Sequence, residues 1–258
     1  MPIFTANTSL LYTEVDFLER FELASKDGFD WVEFQYPYSY PSEQIVESLN
    51  LAGTKLSLMN SFPGNDALGE RGIAIFPQRR SEFLDQLEIS LDYLLAFDCP
   101  RIHVMAGIAP QDHDYEELMN CYLDNIIAAA ELFRPHNIDV LIEPINTQDM
   151  PGYFINYQDE AITVIEQLNL HNVRLQMDFY HLQMMEGNIT QKLVKYFEHI
   201  GHIQIAGVPG RHEPSIGEIN YPFLFHLLDE MDYTGHVGCE YHPKAGTSSG
   251  LSWLRDFQ

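Results

Sequence analysis

The chain alternates short apolar runs with longer amphipathic segments along almost its whole length. The apolar runs have the length and composition of buried strands. In the segments between them, apolar residues recur at helical spacing, as Leu118, Tyr122 and Ile126 do. The predicted strands are 3–7, 31–36, 55–60, 101–107, 139–143, 173–178, 202–206 and 236–240. The predicted helices are 14–27, 42–52, 80–97, 115–134, 158–168, 190–200, 221–231 and 248–256.

Eight strand–helix pairs predict an α/β fold, a (β/α)₈ TIM barrel that occupies residues 1–258 as one domain. An open, doubly wound sheet is the alternative. The segment after the first strand, ANTSLLYTE (6–14), lacks the glycine-rich phosphate turn of that fold. The longest irregular segment, 61–80, follows the third strand, and a loop of this length either closes over a site as a lid or packs over the barrel.

The charge balance limits the partners that the protein can have. With 38 acidic and 14 basic residues the net charge is −24, and such a field repels nucleic acid and anionic membrane surfaces. The three cysteines include no CxxC pair, which argues against a disulfide framework and for a reducing compartment. The amino terminus lacks the pattern of a signal peptide, and no stretch is apolar for long enough to span a membrane. We therefore expect a cytoplasmic protein.

Oxygen-bearing side chains occur at the ends of four successive predicted strands: Glu143, Asp178, Gln204 and Glu240. Because a barrel carries its chemistry at the carboxyl ends of its strands, we expect these four to meet at one side of the barrel mouth. Three carboxylates in a small cavity raise one another's pKa and are costly to bury, and a divalent cation removes that conflict. A ligand set made only of oxygens favours Mg²⁺ or Mn²⁺ over Zn²⁺.

Several motifs occur in the order found in a known family. The chain resembles the hydroxypyruvate isomerase family, within the xylose isomerase-like TIM-barrel superfamily, over essentially its whole length. The motifs are AN-S (6–9), FDWVEFQYPY (29–38), GERGIA (69–74), LIEPIN (141–146), QMDFYHLQMMEG (176–187), GEINYPFLF (217–225) and VGCEY (237–241).

The resemblance implies roles for individual residues. It implies that Glu143, Asp178, Gln204 and Glu240 ligate the metal, with Glu143 and Glu240 as the acid–base pair. It also implies that His181 lies near the substrate oxygens. A keto acid needs a cation for its carboxylate, and Arg211 in PGRHEP (209–214) and Arg71 in the long loop are rival candidates, because arginine offers a planar fork to a carboxylate.

The implied reaction is an aldose–ketose type isomerisation of a small keto or hydroxy acid. GERGIA and EPIN, followed by MPGYF, resemble hydroxypyruvate isomerases, whereas HVMAG, QIAGVPGRHEP and INYPFLF resemble the sister 2-oxo-tetronate isomerases. We favour hydroxypyruvate, with tartronate semialdehyde as its product. His242 stands where the family often has lysine, so no lysine role carries over to that position.

Other functions remain as alternatives. A ketose 3-epimerase uses similar paired glutamates, but Gln204 replaces its usual histidine. A repair endonuclease of the superfamily would need clustered histidines and a basic groove. A barrel that only binds a ligand would not need the four strand-end groups.

The mechanism and the oligomeric state are also open. For the mechanism, a hydride shift is the alternative to proton transfer. A homo-oligomer is left open, since the aromatic cluster at 35–41 could cover a neighbouring subunit, although we favour packing at the barrel mouth.

Overall fold

Eight parallel strands close into a barrel in the computed structural model, which describes residues 2–112 and 114–257. Each strand pairs with the next in chain order, and the last pairs with the first, so that Ile3 lies opposite His236. The predicted TIM barrel is therefore confirmed. The strands are β1 Ile3–Asn7, β2 Trp31–Phe34, β3 Lys55–Asn60, β4 Arg101–His103, β5 Asp139–Ile142, β6 Val173–Asp178, β7 Ile200–Ile205 and β8 His236–Cys239.

The helices surround the barrel and bury their apolar faces against it in one hydrophobic core, to which Phe21, Ile45 and Ile126 belong. They are α1 Arg20–Lys26, α2 Ser42–Ala52, α3 Arg80–Phe97, α4 Tyr115–Phe133, α5 Gln158–Leu168, α6 Phe179–Met185, α7 Ile189–Tyr196, α8 Tyr221–Glu230 and α9 Thr247–Gly250. Short 3₁₀ helices cover Phe17–Glu19, Asp66–Leu68, Pro77–Arg79, Arg134–His136, Phe197–His199 and Leu251–Phe257. In the part of the chain that the structure describes, no helix is both long and apolar enough to cross a bilayer.

Helix α6 is absent from the sequence prediction. Asp178 ends β6 with extended backbone angles, and its side chain accepts a hydrogen bond from the Tyr180 N–H, so that it also caps the helix that follows. The helix therefore begins without the polar turn that usually marks such a boundary. It ends just before Gly187, which has a positive φ of 66°.

Several predicted elements are longer than the observed ones. The predicted helix 14–27 is α-helical only from Arg20, and most of 248–256 is 3₁₀-helical. Strand β4 stops at His103, and from Met105 onward the backbone bonds outside the sheet: Met105 N–H donates to Ser61 Oγ, and Ile75 N–H donates to the Ala106 carbonyl. Two predicted strand-end residues, Glu143 and Glu240, thus lie one position beyond β5 and β8.

The long segment after β3 is largely packed against the barrel. Gly72 forms an antiparallel bridge with Ala106, and residues 73–75 are buried. The tip, residues 65–69, is exposed, and so are residues 77, 78 and 80 where the segment leads into α3. This packing matches the second of the two interpretations of the segment, and lid function stays a prediction for the tip alone.

Candidate active site

Three carboxylates meet at the carboxyl-terminal mouth of the barrel. Asp178 ends β6, Glu143 follows β5 and Glu240 follows β8, and all three side chains are buried. Burial, followed by the negative charges of Glu240 and Asp178, raises the pKa of Glu143 well above its usual range. Burial also raises the pKa of Asp178 to about 7 and raises that of Glu240. These groups therefore lie in an environment that disfavours their charged forms unless a cation is nearby.

The residues present fit a divalent cation. An oxygen atom of Glu143 and one of Asp178 lie within 4.8 Å of each other, and a ring nitrogen of His181 lies beside both. Glu143 Oε1 is buried and has no hydrogen-bond partner among the described residues, as expected of an atom oriented for another ligand. The oxygen-rich donor set suits a hard cation such as Mg²⁺ or Mn²⁺.

Arg211 lies between two of these carboxylates. Its Nη2 atom donates to Glu240 Oε2 and lies 3.4 Å from Asp178 Oδ2. Its guanidinium carbon lies 5.1 Å from the centre of the Tyr180 ring. The residue holds a left-handed backbone with φ of 54°, which is uncommon outside glycine and often marks a functional position. Arg211 thus supplies positive charge to the carboxylate cluster itself.

Gln204 lies in β7 directly opposite Asp178 in the strand register. Its Oε1 accepts from Gln176 Nε2 at 2.6 Å, and its Nε2 donates to Glu33 Oε1 at 2.8 Å. An amide oxygen has two lone pairs, so the bond from Gln176 leaves one for a metal. The predicted ligand role of Gln204 stays a prediction.

His181 projects from α6 toward Glu143 and Asp178, with its Nε2 atom 3.8 Å and 3.6 Å from their oxygens. Its Nδ1 atom lies 2.7 Å from Asn146 Nδ2. The backbone N–H groups of Gln148 and Asp149 donate to Asn146 Oδ1, which fixes the orientation of that amide. Because the amide nitrogen can only donate, His181 Nδ1 accepts and the ring proton of the neutral form lies on Nε2.

The protonation of His181 favours a donor role over a ligand role. Burial, followed by the charge of Arg211, lowers the pKa of His181 well below its usual value, so the ring is neutral. An Nε2 atom that carries the ring proton can donate to a substrate oxygen but cannot ligate a metal. This geometry supports the predicted contact between His181 and the substrate.

His103, at the end of β4, is a site residue that the sequence interpretation missed. Its Nδ1 lies 3.1 Å from Glu143 Oε2, without the alignment of a hydrogen bond. Burial lowers the pKa of His103 to about 3, so this ring is neutral as well. The signal was present, because the HVMAG motif begins with this histidine at a predicted strand.

A cavity of about 270 Å³ opens above these groups. It is near the lower end of the range for small-molecule sites. Of the predicted site residues, Glu143, Glu240, His181, Arg211 and Arg71 line it, whereas Asp178 and Gln204 are not among its lining residues. Three lining residues that sequence reasoning missed are Gln35, Tyr36 and Asn60.

The missed residues Gln35 and Tyr36 belong to the aromatic cluster at 35–41. Gln35 Nε2 donates to Glu240 Oε1 at 3.1 Å, and the Tyr36 hydroxyl contacts the Met105 sulfur at 2.8 Å. The cluster therefore packs at the barrel mouth and contributes to the cavity. No signal in the sequence marked Gln35 and Tyr36 as site residues. The carboxylate of the strand before them, Glu33, lies within the strand, so the strand has no charged residue at its end.

The chain belongs to the xylose isomerase-like TIM barrel family, whose model matches residues 21–257. This confirms the superfamily that the motifs indicated. The sequence resemblance to hydroxypyruvate isomerases is confirmed by curated relatives of that name.

The relatives have nearly the same length as this chain. A 2-oxo-tetronate isomerase from Cupriavidus necator is 46% identical over 257 residues, covering 100% of this chain and 99% of its own. A hydroxypyruvate isomerase from Escherichia coli is 39% identical over 255 residues, covering 99% of each. A solved structure described as an AP endonuclease, family 2, from Brucella melitensis matches with a TM-score of 0.98, 44% identity and full coverage of both chains. The prediction of an isomerase is confirmed by the two curated relatives, which are both named isomerases.

Proposed function

We propose that the chain is a metal-dependent isomerase of a small 2-oxo acid that carries a hydroxyl group on C3. The observation that supports this most is the meeting of three buried carboxylates, Glu143, Asp178 and Glu240, at the barrel mouth, where the two glutamates line one small cavity. Two of them are glutamates whose burial raises their pKa, which favours the uptake of a proton by a general base.

The two substrates suggested by the relatives undergo the same change. In hydroxypyruvate the carbonyl moves from C2 to C3 and gives 2-hydroxy-3-oxopropanoate, also called tartronate semialdehyde. In 2-oxo-tetronate the same shift moves the carbonyl to C3 of a four-carbon acid. The substrates differ by one hydroxymethyl group on C3, so one set of catalytic residues can serve both.

The proton transfers fall to the two glutamates. One removes the proton on C3, and the other, or the same one, returns a proton to C2. Asp178, Glu143, Glu240 and Gln204 would hold the cation, which supplies polarisation of the carbonyl and stabilises negative charge on the substrate oxygens. His181 donates a hydrogen bond from Nε2 to a substrate oxygen in the same cavity.

Arg71 is a better candidate than Arg211 for binding the substrate carboxylate. Arg211 already bonds to Asp178 and Glu240. Arg71 lines the cavity, and its side chain is 33% exposed. Within the described residues its hydrogen bonds, to Asp66 and to the Glu70 carbonyl, both come from Nη1. Its remaining N–H groups are therefore available to an incoming carboxylate.

Of the two substrates, 2-oxo-tetronate is the first candidate. The C. necator relative is 46% identical and the E. coli hydroxypyruvate isomerase 39%. The cavity also offers polar groups beyond the carboxylates, Gln35 and Asn60 among them, that could bind an extra hydroxyl. Hydroxypyruvate is the second candidate, favoured by the GERGIA and EPIN motifs.

Product identification tests the proposal. Chelator-treated protein would be given each substrate with Mg²⁺ or Mn²⁺, and the products followed by NMR. We expect turnover that depends on the cation and falls by orders of magnitude in Glu143→Gln and Glu240→Gln. A product epimerised at C3 would identify an epimerase instead. In deuterated water, product without solvent deuterium would exclude proton transfer and favour a hydride shift.

Two further predictions concern the surroundings of the enzyme. The three cysteines, Cys99, Cys121 and Cys239, are free and buried, which supports a reducing compartment such as the cytoplasm.

Assembly into a homo-oligomer stays a prediction, which the mass of the purified protein in solution would test.

A further inference from the structure

A fourth carboxylate, Glu33, lies inside the barrel and is fully buried. Four groups donate to it: the Thr5 hydroxyl at 2.7 Å, Asn7 Nδ2 at 3.1 Å, His202 Nε2 at 2.8 Å and Gln204 Nε2 at 2.8 Å. A carboxylate surrounded only by donors acts as an acceptor at both oxygens. Glu33 is thus satisfied within the protein, unlike Glu143.

The contacts of Glu33 cross the barrel interior. Glu33 lies in β2 and Gln204 in β7, and these strands are not hydrogen-bonded neighbours. Gly238 in β8 leaves the space that the carboxylate needs, since a Cβ atom at that position would collide with both oxygens of Glu33. The glycine in the last strand therefore allows Glu33 to contact both Gln204 and Asn7, the two of its partners that lie near the site.

The first of these groups is Gln204. Because Glu33 accepts only, it orients the Gln204 amide with its nitrogen toward β2 and its oxygen away from it. That oxygen accepts from Gln176, in β6, and keeps a second lone pair. If the Gln204 amide were reversed, its nitrogen would replace the oxygen, and a nitrogen with two protons cannot ligate a metal.

The second group is Asn7 in β1. Its Nδ2 atom donates both to Glu33 Oε1 and, at 3.0 Å, to Glu240 Oε1. Its Oδ1 atom accepts from the Ser9 backbone N–H at 3.1 Å, which fixes the same amide orientation from the other side. One Asn7 nitrogen therefore connects Glu33 to a proposed catalytic glutamate.

We propose that Glu33 is a positioning residue that determines which atoms Gln204 and Asn7 present to the active site. This inference rests on the proposed metal site, in which Gln204 is a ligand through its oxygen. Glu33 itself touches neither substrate nor metal in this proposal. It acts through the orientation of two neutral amides: among the described residues Glu33 is the only carboxylate to which Gln204 donates, whereas Asn7 also donates to Glu240.

The test is Mn²⁺ binding to the chelator-treated full chain, measured by calorimetry. Glu33→Gln has nearly the same volume but replaces one of the two acceptor oxygens with a donor NH₂ group, so residue 33 no longer fixes the Gln204 amide, which is free to reverse. We expect at least tenfold weaker Mn²⁺ binding. Asn172→Ala is the matched control, since Asn172 is a buried amide that bonds to the Ala130 and Ile138 carbonyls away from the cavity. It should lose stability and keep its Mn²⁺ affinity.

A double variant distinguishes orientation of the Gln204 amide by Glu33 from a purely structural role of Glu33. In Glu33→Gln with Gln204→Glu, a carboxylate at 204 presents oxygen on both sides and no longer needs orientation. We expect Mn²⁺ affinity within about threefold of that of the parent protein, a recovery that a purely structural role would not produce. If Glu33→Gln alone does not fold, the double variant carries the test.

The outcomes for the inference and for the proposed function differ. Unchanged Mn²⁺ binding in Glu33→Gln, or no recovery in the double variant, overturns the role of Glu33 and leaves the metal site intact. Failure of the parent protein to bind Mn²⁺ or Mg²⁺ overturns the proposed function instead.

Discussion

Asn146 Nδ2 lies 2.7 Å from His181 Nδ1, and this contact determines which nitrogen of the histidine carries the proton. Asn146 also donates to Asp149 Oδ2 at 3.0 Å, while its own oxygen accepts from two backbone N–H groups. A side chain held at both ends cannot reverse its amide without losing all of these bonds. His181 is therefore presented to the cavity as a hydrogen-bond donor.

The first prediction separates a donor from a metal ligand at position 181. His181→Leu removes the Nε2 proton, and we expect kcat/KM to fall about 10- to 150-fold, the worth of roughly 1.5–3 kcal/mol for a hydrogen bond to a charged group. Mn²⁺ affinity should change by less than about threefold, which is roughly 0.6 kcal/mol. Steady-state kinetics and calorimetry on the same preparation measure both quantities.

The control for this variant is Gln183→Leu, on the same helix but directed to Glu218 rather than to the cavity. It should leave kinetics and metal affinity unchanged. If His181→Leu weakens Mn²⁺ binding as strongly as it lowers kcat/KM, His181 is a ligand, and the tautomer inferred from Asn146 is incorrect.

The second prediction concerns the cation that binds the substrate carboxylate. In Arg71→Met the fork of N–H groups is lost from the cavity, and we expect KM to rise about 10- to 100-fold with a smaller change in kcat. Metal affinity should not change, because Arg71 contacts Asp66 and the Glu70 carbonyl rather than the carboxylate cluster. Initial rates over a range of substrate concentrations provide the measurement.

Arg80→Met is the matched control, because Arg80 begins α3 at the end of the same loop and does not line the cavity. It should keep the parent KM. An Arg71→Met enzyme with an unchanged KM would move the carboxylate-binding role to Arg211.

Sequence reasoning could find the strand-end carboxylates because each is a local anomaly, a charged residue at the end of an apolar run. Glu143, Asp178 and Glu240 are all marked in this way, and periodicity alone counts the strands that bring them together. Glu33 shows the same anomaly inside WVEF, but it lies within its strand rather than at the end. Its depth in the barrel, and hence its distinct role, depends on closure of the sheet.

The rest of the site depends on contacts that no local pattern contains. Asn146 and His181 are 35 residues apart, and Gln35 and Glu240 are 205 apart. Such pairs form only after register and loop conformation bring them together. Helix α6 was missed for a related reason, since Asp178 both ends a strand and caps a helix, and the sequence offers no separate signal for each.

The third prediction concerns removal of the metal. Among the described residues, Arg211 is the only arginine or lysine that pairs with the carboxylate cluster, and it contacts two of its three members. We therefore expect chelated protein, which also lacks the cation, to unfold at a lower temperature. Mn²⁺ at a hundred times its Kd should stabilise the folded state by about 2.7 kcal/mol and raise Tm by about 5–10 °C for a chain of this size. Differential scanning calorimetry with Mn²⁺, Mg²⁺ and chelator measures the shift. Equal Tm values in all three would contradict a metal site.

The fourth prediction is a pH effect from His236, at the start of β8 and away from the carboxylates. Burial, followed by the charge of Arg101, lowers the pKa of His236 to about 3. Arg101 Nη1 lies 3.0 Å from His236 Nδ1 and can only donate, so that nitrogen must accept and the folded ring stays neutral. The unfolded chain binds a proton below its ordinary pKa of about 6.5. His236 therefore supports stability above that pH, and this contribution is lost as pH falls from about 6.5 toward 3.

Replacement of this histidine should flatten the pH dependence of stability. His236→Asn keeps an acceptor for Arg101 but cannot be protonated. Between pH 7 and pH 5 its free energy of unfolding should therefore fall by roughly 2 kcal/mol less than that of the parent protein. It should nevertheless be less stable at pH 7, because the ring packs 4.4 Å from that of Trp31. Urea unfolding of both proteins at pH 7, 6 and 5 gives the difference. His226→Asn, on an exposed face of α8, is the control and should follow the parent curve. Parallel curves for His236→Asn and the parent would mean that the folded His236 ring binds its proton as readily as the unfolded one.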